Sequence, residues 1–152
     1  MTPLFDAALE FSPDAPANAV IHVGVRDDAY IGSGNGTVTG ERLRGTIAWS
    51  LHASDCLYPR IRRGEVVPDD LHRCSLSFRG LIDTADGARV QVDGRGYGLR
   101  TVDWYRWNLT LAFGTSASPY GWLTATLAAM QGDFDEKAAR AVLRAFIATH
   151  SP

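Results

Sequence analysis

Lysine is nearly absent from this chain. Of its 15 basic residues only Lys137 is a lysine, and the arginine excess reads first as genomic base composition. Acidic residues number 17, so the formal net charge is −2. Without a polyelectrolyte footprint, neither nucleic acid nor an anionic membrane is expected as a partner. Cysteine is scarce as well: Cys56 and Cys74 stand alone and make no zinc-ligand pattern. They flank an irregular segment and could bridge it, but with no export signal free thiols are the expectation. Long apolar runs are missing too. No segment approaches the roughly 20 apolar residues of a membrane span. The start MTPLFDAALEF carries acids and no apolar stretch suited to a signal peptide, so cytoplasmic residence is the default. There is no G-x-S-x-G nucleophile motif, and neither cysteine has a catalytic neighbourhood. His22, His52, His72 and His150 are not spaced as a metal site, although a barrel could bring His22 and His52 together. No metal and no cofactor are expected.

Hydrophobic residues make up 45% and charged residues 21% of the 152 residues, which suits one soluble globular domain over 1–152 with a real core. The most informative stretch is 74–97, CSLSFRGLIDTADGARVQVDGRGY. Ala85-Asp86-Gly87 suits a three-residue hairpin loop closed by a left-handed glycine. Thr84 then pairs with Ala88, and the whole register follows. One face holds Leu76, Phe78, Ile82, Val90 and Val92, with Gly80, Gly94 and Gly96. The other holds Ser75, Ser77, Arg79, Asp83, Arg89, Gln91, Asp93, Arg95 and Tyr97, with Arg79 facing Asp93 and Asp83 facing Arg89. That polar face is either washed by solvent or lines a polar cavity.

Alternation predicts further strands at the N-terminus, at Ala19–Val25, Leu43–Ala53, Trp107–Phe113 and Tyr120–Leu127. Gly32-Ser33-Gly34-Asn35-Gly36 lacks the strand-to-helix context of a phosphate loop and reads as a turn or bulge between strands. Residues 54–73 break the rhythm, as a lid, a binding loop or a disordered segment would. A C-terminal helix is predicted over 134–149. Asp133 and Glu136 can form a capping box, and Ala138, Val142, Leu143, Phe146 and Ile147 form an apolar stripe. Short alternating strands followed by one helix point to an all-β domain, a single antiparallel barrel with a C-terminal α-helix.

The run Ile31–Leu127 resembles the domain-of-unknown-function family 3237, also called uncharacterised protein family 0311. The residues that carry the likeness are Gly36-Thr37-Val38-Thr39-Gly40 with Leu43-Arg44-Gly45, the Arg79 strand ending in Asp86-Gly87-Ala88, then Val90, Val92, Arg95 and Gly96. Phe113-Gly114-Thr115 with Tyr120-Gly121-Trp122-Leu123 completes it. The resemblance implies a small antiparallel barrel of the calycin or allene-oxide-cyclase-like kind. The chain departs from the pattern at Gly80, where an aromatic is usual, and in a helix where the family has its final strand.

Should the polar face line the cavity, Arg79 oriented by Asp93 could grip a carboxylate or enolate oxygen, and Arg95 could add positive charge. Tyr97 or Tyr120 could move a proton, with His22 or His52 as general base. The expected catalytic set is therefore His22, Arg79, Asp93 and Tyr97, and the ligand-binding set His52, Arg95, Asn108, Tyr120 and Trp122. These suit a cofactor-free isomerase or cyclase acting on an aromatic, enone or polyketide-like small molecule. The alternative is a lipocalin-like barrel that binds a small hydrophobic ligand without turnover. A third reading buries Tyr120 and Trp122 in a homo-oligomer contact.

Overall fold

The computed structural model describes residues 2–12, 29–57, 61–62, 65–66, 72–100, 105–135 and 138–148. The elements are β1 (Thr2–Phe11), β2 (Ala29–Thr39), β3 (Gly45–Leu57), β4 (Ile61–Arg62), β5 (Glu65–Val66), β6 (His72–Thr84), β7 (Arg89–Arg100), β8 (Tyr105–Gly114), a 3-10 helix (Ser118–Ala125), β9 (Leu127–Asp135) and β10 (Arg140–Ile147). Eight strands close into a barrel in the order β1-β10-β9-β8-β7-β6-β3-β2, every neighbour antiparallel, while β4 and β5 form a separate two-stranded ladder. Closure removes the unpaired edges that an open sheet would expose.

The hairpin register is the one the turn chemistry dictates. Thr84 donates its N–H to the Ala88 carbonyl at 2.9 Å, Gly87 sits at φ 90°, and Asp83 pairs with Arg89. Alternation then sends the apolar set inward. Ile47, Trp49, Leu51, Leu76, Phe78, Ile82, Val90, Val92, Leu109 and Leu111 are all buried in one core. An eight-stranded barrel is just wide enough for such side chains to fill it.

The C-terminal helix expected over 134–149 is not there. Residues up to Asp135 belong to β9, Ala139 takes φ 52° in a turn, and β10 runs back between β1 and β9. Val142 and Leu143 share a stripe on a helix but lie on opposite faces of a strand. Ala141, Leu143 and Ala145 are buried, whereas Val142 is 60% exposed. Pairing on both sides of β10 closes the barrel, and that non-local gain overrides the local helical pattern. The strand expected at Tyr120–Leu127 is also corrected. Pro119 lies in the first turn of the 3-10 helix that replaces it, and Leu127 opens β9 with 57% exposure. Gly32–Gly36 is no turn but the middle of β2, with a register shift between Tyr30 and Gly32. A Cβ at Gly34 or Gly36 would strike the carbonyls of Glu10 or Ala8 on β1, so only glycine permits this close approach. Ala19–Val25 and half of 54–73 lie outside the described residues, and the described half of 54–73 belongs to β3, β4, β5 and β6. The expectation of a free thiol fails at Cys74, which is disulfide-bonded.

Candidate functional site

At the end of the barrel where β1 finishes and β8 begins, the lumen becomes aromatic. Phe11, Trp49, Phe78, Tyr105, Trp107 and Phe134 form a continuous ring cluster. Glycines make the room. Trp49 is flanked in register by Gly34 on β2 and Gly80 on β6, and Trp107 by Gly98 on β7 and Gly132 on β9. A Cβ on Gly98 would stand 2.7 Å from the Tyr105 ring, so the strand wall yields its own volume to the aromatics. Phe11 meets Trp49 edge to face at 4.8 Å, and Phe134 stacks on Trp107 at 5.8 Å with 21° between the planes. Phe11 and Phe134 are half-buried, so they form the outermost layer of the cluster.

The two indoles differ in one respect. Trp49 Nε1 donates to the Asn35 carbonyl at 3.1 Å. Trp107 is fully buried, and its Nε1 has no hydrogen-bond partner among the described residues. A buried N–H left in that state costs about 1–3 kcal/mol. Among the described residues no aspartate, glutamate, lysine, arginine or histidine is buried. Among the described residues the lumen wall is therefore uncharged, with ring faces, the Trp107 indole N–H and the Tyr105 hydroxyl.

The polar set sits on the other side of the wall. His52, Arg79, Asp93, Arg95, Tyr97 and Asn108 are brought together on the adjacent strands β3, β6, β7 and β8, all exposed and all facing outward. Cavity lining by this face, the condition for the catalytic scheme built on it, is overturned: inward parity belongs to the apolar residues, so the polar ones must face solvent. Arg95, Tyr97 and Asn108 line an open outer groove of about 760 Å³ with Ser77, Thr110 and Gln131. Arg79 and Asp93 line a second groove of about 590 Å³. Arg79 and Asp93 are register partners, yet no ion pair joins them among the described residues, whereas Asp83 and Arg89 do bond, at 3.0 Å. His22 lies outside the described residues. Charge outside and apolar residues inside reverse the pattern of a transmembrane barrel. Among the described residues no group of three or more His, Cys, Asp and Glu is placed to hold a metal ion.

Tyr120 and Trp122 belong to neither group. The 3-10 helix carries them across the opposite end of the barrel, where Leu123 is fully buried as a plug. The Arg42 guanidinium lies 3.7 Å from the Trp122 ring centroid. Tyr120 donates its hydroxyl to Asp86 Oδ1 at 2.8 Å, and Thr84 also donates to that carboxylate. Bonds from Thr84 and then Tyr120 hold the Asp86 carboxyl below its usual range, while the bond to Asp86 pushes the Tyr120 phenol above its own. A lowered Asp86 contributes stability above its unfolded value, lost as pH falls through the folded one. A raised Tyr120 contributes stability below its unfolded value, lost as pH rises through the folded one. Tyr120→Phe should thus lower Tm near neutrality, with the gap to the parent closing below about pH 4 and above about pH 10. A gap unchanged across melts from acid to alkali would show that the tie contributes nothing.

Sequence reading missed the aromatic cage as a unit. Trp49, Phe78 and Trp107 were legible as core, but Phe11, Tyr105 and Phe134 were not, and the glycine–tryptophan–glycine rows exist only once strands are placed in register. No protein-family model matches the chain, and no curated protein matches it. Solved structures do. A β-barrel-like protein from Acinetobacter baumannii AYE aligns over 96% of this chain and 93% of its own, with TM-score 0.65 and 18% identity. A protein of unknown function from Clostridium acetobutylicum ATCC 824 aligns over 97% of both chains, with TM-score 0.64 and 20% identity. An enzyme from Penicillium herquei aligns over 97% of this chain and 96% of its own, with TM-score 0.57 and 19% identity. At such identities the likeness establishes a shared barrel fold.

Proposed function

We propose that the barrel binds a small, largely apolar, ring-bearing molecule at the aromatic end of its lumen, as a lipocalin-like carrier does. The observation that carries this reading is the cage itself: six rings, two of them half-buried, in an interior without a buried charged side chain among the described residues. Ligand sites are typically concave and apolar with few polar groups, and flat rings stack on aromatic walls. A neutral hydrophobic dye such as Nile red should bind saturably at one site and quench tryptophan emission, because Trp49 and Trp107 belong to the cage. Absence of saturable binding, with no small molecule released on denaturing the purified protein, would overturn the reading.

A second reading keeps the isomerase or cyclase, and one observation favours it: a structural neighbour is described as an enzyme. In that case the Tyr105 phenol is the titratable group on the described lumen wall able to hold or move a proton. Tyr105→Phe would then abolish turnover while leaving dye binding intact. Loss of neither would leave the carrier.

A further inference from the structure

We infer that Trp107 Nε1 is the recognition point of the lumen, and that the ligand is a neutral, flat molecule bearing a carbonyl or comparable hydrogen-bond acceptor. This rests on the binding reading above and specifies what it binds. Two tryptophans stand on the same inner wall, their rings 6.4 Å apart. The fold provides a backbone carbonyl for the Trp49 donor and, among the described residues, nothing for the Trp107 donor, although Trp107 is fully buried. Buried donors are normally paired, so this one is suited to an acceptor brought by a ligand. The surroundings restrict that acceptor. Phe134 stacks on Trp107 and Tyr105 meets it edge to face, and flat walls of this kind favour a planar ligand. No buried cation is described that could neutralise a carboxylate, and an anion brought into such an interior would be left unpaired. A neutral carbonyl satisfies the indole without that penalty. Phe11 and Phe134, whose rings lie 4.6 Å apart, form the half-buried layer over it.

Three probes of one ring size test this: naphthalene, 2-acetonaphthone and 2-naphthoate, measured by equilibrium dialysis against the full chain and Trp107→Phe. The parent should bind 2-acetonaphthone about five- to tenfold more tightly than naphthalene, the gain of one neutral hydrogen bond. In Trp107→Phe the ratio of the two affinities should fall to about one, whatever the change in naphthalene binding itself. The naphthoate should bind at least about a hundredfold more weakly than the ketone. In the unmodified protein, the ketone should move the Trp107 indole N–H resonance downfield, as a new hydrogen bond does, beyond the ring-current shift that naphthalene gives, which keeps the test decisive if the variant fails to fold. Equal affinity of ketone and hydrocarbon for the parent, or a preference that survives Trp107→Phe, would overturn the assignment while the carrier reading stands. Tight naphthoate binding would overturn the neutral class. Failure of all three to bind would remove the carrier reading and the assignment with it.

Discussion

Leu143→Lys should leave no folded protein, whereas Val142→Lys, one position earlier, should fold and melt close to the parent. Leu143 is fully buried on β10, and a lysine there puts an unpaired ammonium among apolar side chains, a loss above about 4 kcal/mol. Against a typical domain stability of about 5–15 kcal/mol, that is enough to open the barrel. Val142 is 60% exposed and lies across from Asp133, so a lysine there stays solvated beside an opposite charge and changes stability by about 0.5 kcal/mol or less. The contrast tests the strand directly, because on a helix both positions would share the buried stripe. Circular dichroism melts of the two variants decide it; equal damage from both would favour the helix.

Trp49→Ala should cost about 3–5 kcal/mol, the second large effect. Its indole packs against Phe11, Phe78 and Trp107, and the flanking Gly34 and Gly80 carry no side chain that could fill the space. Removing it also deprives the Asn35 carbonyl of its donor. A dry apolar cavity of this kind takes up small aromatics, so saturating benzene should recover part of the lost Tm. The gain should exceed any shift that benzene gives the parent, where the indole occupies that space. A Trp49→Ala melt within a few degrees of the parent would mean that the wall collapses around the gap.

The hairpin was legible because two local signals agree: a turn that admits one register, and alternation that fits that register on both strands. At β10 they conflict. Its arginines and alanines favour a helix locally, and the inward set Ala141, Leu143 and Ala145 becomes visible only when β1 and β9 are known to flank it. Gly32–Gly36 misled for a related reason. Glycine is a turn signal in isolation, but here it marks where β2 presses against the backbone of β1. For the site, the sequence separated the two faces correctly and left open which was inside. Tyr97, a catalytic candidate only if that face lines the cavity, is 56% exposed. Trp107, an ordinary core residue in the sequence, gains its interest from an atom whose missing partner no pattern of residues displays.

The pairing of β1 with β10, Thr2 against Ile147, has a kinetic consequence. The first strand made waits for the last, and until β10 arrives both β1 and β9 present open edges to other chains. Such long-range closure slows folding and exposes the nascent sheet to aggregation. A ribosome-bound chain that ends before Arg140 would hold every hairpin through β9 and still depend on chaperones, becoming protease-resistant only when the final strand emerges.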